Sequence, residues 1–186
     1  MGRLVYTAIA SLDGYVRDAD GSFAWAEPTE EVHAFVNERE RPVGTYLYGR
    51  GMYETMAVWE TEPALAEASP VMAEYAELWR AADKVVYSTT LDSVATGRTR
   101  LERTFDAGAV ARLKKEAPSD LAVAGPTLAA EAFRAGLVDE LQLYVVPVVV
   151  GGGLPALPDG VRLDLELLEE RRFAGGFVFL RYAARR

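Results

Sequence analysis

The chain has 186 residues, 50% of them hydrophobic and 26% charged, a globular composition for one domain over residues 1–186 that buries roughly 70% of its unfolded surface. Its net charge of −8 opposes binding to a polyphosphate backbone, and the lack of cysteine rules out disulfides and thiol catalysis. One histidine, His33, is too few for a His-rich metal site, and the longest apolar run, Leu143 to Val150, is too short for a bilayer, so metal, nucleic acid and membrane are not expected partners.

Arg3 to Ala10 reads as a first strand, left through a Ser11-Leu12-Asp13-Gly14-Tyr15-Val16 turn. A second turn, Asp18 to Gly21, precedes Trp25. Thr29 to Arg41 predicts a helix with Thr29 as its cap and Val32, Phe35 and Val36 on its apolar face; Pro42 ends it. Thr45 to Tyr48 is a short strand running into Gly49-Arg50. Ser69-Pro70 opens a helix reaching about Ala82. Lys84 to Tyr87 predicts a strand that ends in Ser88-Thr89-Thr90. Asp106 caps a helix to about Glu116. Leu121 to Ala124 is a buried strand, Gly125-Pro126-Thr127 turns it into an apolar-faced helix, and Gly136 stops that helix. Leu141 to Pro147 is a strand that empties into Gly151-Gly152-Gly153. Val161 to Glu169 alternates as a half-buried strand does, and Ala174-Gly175-Gly176 joins it to a closing strand, Phe177 to Ala183. Strands alternating with helices argue for one mostly parallel α/β sheet with an antiparallel hairpin at the end.

Three predicted loops follow strand ends: Tyr48-Gly49-Arg50, Tyr87-Ser88-Thr89 and Ala124-Gly125-Pro126-Thr127. Ligands of open α/β sheets bind outside the carboxyl ends of the strands. A strand–Gly–helix turn presents unpaired N–H groups and the positive end of a helix dipole, which suits a phosphate. Arg50 adds a planar, permanent charge for a further phosphate. These groups on one rim point to a phosphate-bearing cofactor.

The ordered set Ser11-Leu12-Asp13-Gly14, Gly49-Arg50 with Tyr53-Glu54, Gly125-Pro126-Thr127, Gly136-Leu137-Val138-Asp139-Glu140, Pro147 and Gly151-Gly152-Gly153 resembles the bacterial dihydrofolate-reductase-like family, which includes the reductase domain of riboflavin biosynthesis. The likeness runs from about Arg3 to Tyr182. It implies a three-layer α/β fold with a mixed, mostly parallel sheet of about eight strands, flanked by helices. It also implies NADPH as hydride donor and a homodimer, while the lack of cysteine favours a reducing, cytoplasmic setting. Gly49 and Arg50 are then expected at the cofactor, with Arg50 near the 2′-phosphate and Ser88 and Thr89 helping. Gly125, Pro126, Thr127 and Leu128 would line the pyrophosphate, and Gly125–Pro126 would stand where the family has a cis Gly-Gly bond. Met52 departs from the family's threonine. For proton delivery the resemblance suggests Glu31, with Glu30 as alternate; both also suit a helix's first turn electrostatically. Asp13 is expected to shape the loop over the nicotinamide, and Tyr15 and Trp25 to wall a flat substrate. His33, Arg98, Arg100, Arg103 and the Asp139-Glu140 pair read as surface or solvated groups.

The resulting expectation is an NADPH-dependent reductase of a small flat heterocycle. A 5-amino-6-(5-phosphoribosylamino)uracil-type reductase is the nearest alternative, ranked lower because no basic cluster remains for a sugar phosphate. A catalytically silent nucleotide-binding protein of the same fold is the third.

Overall fold

A computed structural model describes residues 1–185. In chain order come β1 (Leu4–Ser11), β2 (Tyr15–Arg17), a 3-10 turn (Ala24–Ala26), α1 (Glu30–Glu40), β3 (Val43–Gly49) and three short helices, α2 (Arg50–Met56), α3 (Val58–Thr61) and α4 (Pro63–Ala66). Then follow α5 (Pro70–Ala81), β4 (Asp83–Tyr87), β5 (Thr99–Glu102), α6 (Ala107–Glu116), β6 (Asp120–Ala124), α7 (Pro126–Arg134), β7 (Glu140–Val146), β8 (Leu154–Pro155), β9 (Leu165–Arg172) and β10 (Val178–Ala184).

Eight strands form one mixed sheet in the order β5-β4-β3-β6-β1-β7-β10-β9. Pairing is parallel from β5 through to β7, and β10 runs antiparallel to both β7 and β9. The central strands are apolar at nearly every position because both faces are covered. Leu121 and Val123 of β6 enter a core with Leu4, Tyr6, Leu47 and Phe133, under α6 and α7. Ala122 and Ala124 face the opposite way, toward Tyr46, Tyr48, Tyr75 and Trp79 under α5. Beside that cluster, Val32 and Phe35 of α1 pack on Tyr144, Phe173, Phe177 and Phe179.

The predicted caps hold. Thr29 Oγ1 accepts from Val32 N, Ser69 Oγ from Met72 N, and Asp106 Oδ1 from Gly108 N and Ala109 N. Gly136 at φ +64° ends α7, with Leu137 N donating to Ala132 O. Other expectations change. The strand expected over Val161 to Glu169 lies at Leu165–Arg172, because its register is set by pairing with β10. Arg98 and Arg100 flank or occupy a real edge strand, β5, rather than a solvated loop. The Tyr15 end of the first turn is a strand, β2, paired with β8 in a separate two-stranded sheet. The helices α2 to α4 are too short to carry an apolar stripe that the sequence could reveal.

Two groups read as solvated are buried. His33 is 8% exposed and packs on Trp59 and Tyr75, with ring centroids 5.8 and 5.5 Å away, because α3 and α5 cover that side of α1. Burial holds its pKa below the ordinary value. Glu140 is 3% exposed; its carboxylate accepts from Arg181 at 2.7 and 3.0 Å and from Arg3 at 2.8 Å. Burial alone raises its pKa, and these cations outweigh that and hold it low. Asp139 accepts from Leu4 N and pairs with Lys114 at 2.6 Å. The Arg3–Glu140–Arg181 group also lines a hollow at the amino-terminal pole, with Gln142 beside it in the walls. It is a structural seam, remote from the strand carboxyl ends.

Candidate active site

Parallel pairing brings the carboxyl ends of β1, β3, β4, β6 and β7 to one pole. The glycine turn stands at its centre. Gly125 has φ +88° and ψ 118°, and a Cβ there would sit 3.1 Å from Met52 Cβ. Met52 thus fills the place of the expected hydroxyl and packs against the turn. Gly125 makes the turn by its left-handed φ, and the Gly125–Pro126 bond is trans, correcting the expected cis bond. The first helical bond of α7 runs from Ala129 N to Gly125 O. Pro126 has no N–H, so the Thr127 and Leu128 amides are the helix-end donors without a partner inside the helix. Thr127 is exposed and Leu128 is buried.

Gly49 is the cap of α2, and Arg50 is its first residue. Arg50 Nε donates to Glu54 Oε1 at 2.7 Å and Nη1 to Thr90 Oγ1 at 3.1 Å. Ser88 is buried, and its Oγ accepts from Thr90 N and Leu91 N, so it folds the loop. Thr89 is exposed. Thr90, rather than the expected Thr89, is the hydroxyl that meets Arg50. Arg103 is not free in solvent: its Nη1 donates to Ser88 O and Leu91 O and clamps the same loop. The donors suit a phosphate-bearing nucleotide: two helix-end amides, a guanidinium, a hydroxyl and a glycine with no side chain to obstruct them.

Across the glycine turn lies the loop after β1. Asp13 accepts from Val150 N at 3.1 Å and Gly151 N at 2.7 Å. The Ser11 hydroxyl is the main cause that holds its pKa below the ordinary value, and these two amides add to it. Leu12 N donates to Val148 O and Ala156 N to Gly14 O, so the two loops are tied together as one flap. Leu12 and Val149 stand 66% and 67% exposed on it. Tyr15, half-buried on β2, has its N–H on Ser11 Oγ. Trp25 packs on the Phe35–Tyr144 cluster with its Nε1 buried and unpartnered. Glu31 is exposed at the start of α1, and its Oε2 accepts from Ala174 N at 3.2 Å; Glu30 is exposed beside it. Asp13, Tyr15, Trp25 and Glu31 thus occupy the β1–α1 side of the rim, and Gly49, Arg50, Ser88 and Gly125 to Leu128 the other side. Among the described residues no cluster of three potential metal ligands occurs.

The RibD C-terminal domain model matches residues 3–179. An uncharacterised protein of Bacillus subtilis, YyaP, is 27% identical over 184 residues, spanning 97% of this chain and 94% of its own length. A putative riboflavin biosynthesis protein from Shewanella sp. PV-4 superposes with a TM-score of 0.73 at 19% identity, covering 99% of both chains. A dihydrofolate reductase from Enterococcus faecalis, solved in complex with NADP(H), superposes with a TM-score of 0.66 at 12% identity, covering 100% of this chain and 98% of that one. These superpositions show the dihydrofolate-reductase-like fold, and the family match over nearly the whole length assigns the chain to the RibD C-terminal domain family.

Proposed function

We propose that the protein is an NADPH-dependent reductase of a small, flat heterocycle, pterin-like or pyrimidine-like. The observation that carries this reading is the Gly125 turn, with its two open helix-end amides beside the Arg50–Thr90 pair, in a chain of a reductase-domain family. NADPH, when bound, supplies the hydride. Thr127 and Leu128 amides hold its pyrophosphate, and Arg50 with Thr90 holds the 2′-phosphate. Gly49 leaves the backbone open beside them, while Ser88 and Thr89 shape the adjoining loop. The Asp13 flap covers the reacting end and excludes water; Tyr15 and Trp25 wall the substrate. Proton delivery falls to Glu31, with Glu30 beside it, or to water. The setting is cytoplasmic and the assembly a homodimer; among the described residues no helix is long and apolar enough to cross a membrane.

A second reading, a 5-amino-6-(5-phosphoribosylamino)uracil-type reductase, is favoured by the family. Calorimetry on ligand-free protein with NADPH and NADH tests the proposal first. Tight NADPH with weak NADH, followed by substrate-dependent NADPH oxidation, supports it. NADPH binding with no oxidation across pterin and pyrimidine substrates moves the weight to a silent nucleotide-binding protein. Binding of neither nucleotide overturns the reading.

A further inference from the structure

Two bridges join the β1–α1 side of the rim to the α2–α3 side. Arg17, at the end of β2, donates from Nη2 to Thr55 Oγ1 of α2 at 3.4 Å. His33 of α1 lies against Trp59 of α3, with ring centroids 5.8 Å and planes 32° apart. Tyr75 of α5 backs both rings, 5.5 Å from His33 and 4.7 Å from Trp59. Contacts put this second bridge at the pole of the glycine turn. Met52 of α2 packs on Gly125, and Ala57 is helical where α2 passes into α3, so Trp59 stands two turns beyond Met52, about 10 Å along the helix. On the opposite side, α1 begins against the β9–β10 hairpin: Glu31 Oε2 accepts from Ala174 N, and a Cβ on Gly175 would lie 3.3 Å from Thr29 Cγ2. The hairpin in turn abuts the end of β7, where a Cβ on Gly176 would lie 3.1 Å from Pro147 Cγ. His33 is in the first turn of that helix.

The second bridge shuts the crevice on the α1 side. His33 is buried and Trp59 half-buried, with the Tyr75 ring behind them, so no passage runs between the first turn of α1 and α3. Thr55 and Trp59 are one turn apart on one face of the α2–α3 run, so the two bridges leave that run only about 6 Å from each other. A flat ring fits edge-on beside them; a bulky group on the ring has no way out past Trp59. Charge opposes one kind of tail in particular. From Asp18 to Glu38 and from Gly51 to Trp79 the chain has no Lys or Arg. The lips of the closed gap carry Glu30 and Glu31 on α1, and Glu60 and Glu62 at α3, so a carboxylate directed that way meets only like charge.

We propose that Trp59 and His33 are specificity-determining residues: by closing the crevice between α1 and α3 they restrict the substrate to a compact heterocyclic ring and reject a ring that bears a long acidic tail. This rests on the reductase reading and narrows its substrate class to a pterin or pyrimidine with small substituents. Trp59 is the barrier, and His33 is the surface on α1 against which it shuts. Neither is assigned a part in hydride or proton transfer.

The test follows NADPH oxidation by the full chain with two substrates that share one ring. 6-Methyl-7,8-dihydropterin has no tail, and 7,8-dihydrofolate adds an aminobenzoyl-glutamate tail. Wild type, Trp59→Ala, Trp59→Phe and His33→Ala are compared, with thermal melting as a folding check. Wild type is expected to favour the tail-less pterin by about a hundredfold or more in kcat/KM. In Trp59→Ala that ratio is expected to fall about tenfold or more, through a lower KM for dihydrofolate, while Trp59→Phe keeps most of the discrimination. A purely structural role for Trp59 would lower the melting temperature and leave the ratio where it was. Equal kcat/KM for the two compounds in wild type overturns the proposal, as does an unchanged ratio in a folded Trp59→Ala. If Trp59→Ala does not fold, His33→Ala opens the same gap and is judged by the same criterion. Reduction of neither compound by wild type overturns the proposal as well; calorimetry with NADPH then decides separately whether the reductase reading stands.

Discussion

Gly125 stands at φ +88° with Met52 3.1 Å from where a Cβ would be, so this position tolerates no side chain. Gly125→Ala is expected to cost about 1–2 kcal/mol from the backbone alone, more with the contact, and to weaken NADPH, read by denaturant unfolding and calorimetry. Arg50→Ala is expected to weaken NADPH much more than NADH; equal weakening of both would remove Arg50 from the phosphate. Glu40 gives a pH signature. It is 7% exposed, Tyr46 Oη donates to it at 2.8 Å, and burial pushes its pKa up to about 7. The native state then binds more protons than the unfolded state between the ordinary value near 4.5 and about 7. Stability from this group is therefore full below pH about 4.5 and lost as pH rises through about 7, on the order of 3 kcal/mol in all. Glu40→Gln should flatten that slope in urea melts taken across the range; an unchanged slope would assign it elsewhere.

At the scale of elements, the loop after β1 and the loop after β7 act together through Asp13. Its carboxylate joins two amides 137 and 138 residues away in sequence. Asp13→Ala is expected to speed amide exchange at Val150 and Gly151 while leaving the core protected, and to raise KM for the substrate. Because the pKa of Asp13 lies below its ordinary value, the latch holds at and above that value and opens as pH falls through the shifted one. A different element carries the other pole. Glu140 sits at the entry of β7 between Arg3 and Arg181, so Arg181→Met leaves a buried carboxylate short of a partner and should destabilise the chain by about 2–4 kcal/mol in chemical unfolding. Arg3 keeps part of the compensation, which places the effect below a complete loss.

Taken whole, the molecule is an eight-stranded sheet whose central strands are covered on both faces, with β5 and β9 at its two edges and the β2–β8 pair apart from it. Edge β9 is charged along most of its length but exposes Leu167 and Leu168, at 49% and 45%. If the proposed homodimer forms along this edge, Leu168→Lys should shift sedimentation from dimer to monomer at micromolar protein. An unaltered dimer would place the interface on another surface.

The sequence by itself determined the α/β class, the order of the main strands and helices, the caps at Thr29, Ser69 and Asp106, and the glycine turn. Each of these is local: a cap or a turn is written in a few neighbouring residues, and a buried strand in an unbroken apolar run. Only the tertiary structure decided which groups share the rim. Thr90 rather than Thr89 meets Arg50, because the turn held by Ser88 aims it there. The β2–β8 pair has two- and three-residue strands without a readable period, so nothing local in the sequence reveals that Arg17 reaches Thr55. His33 and Glu140 read as solvated because polar residues usually are, and their burial comes from helices and arginines distant in the chain. Strand order, set by long-range pairing, turned scattered motifs into one crevice.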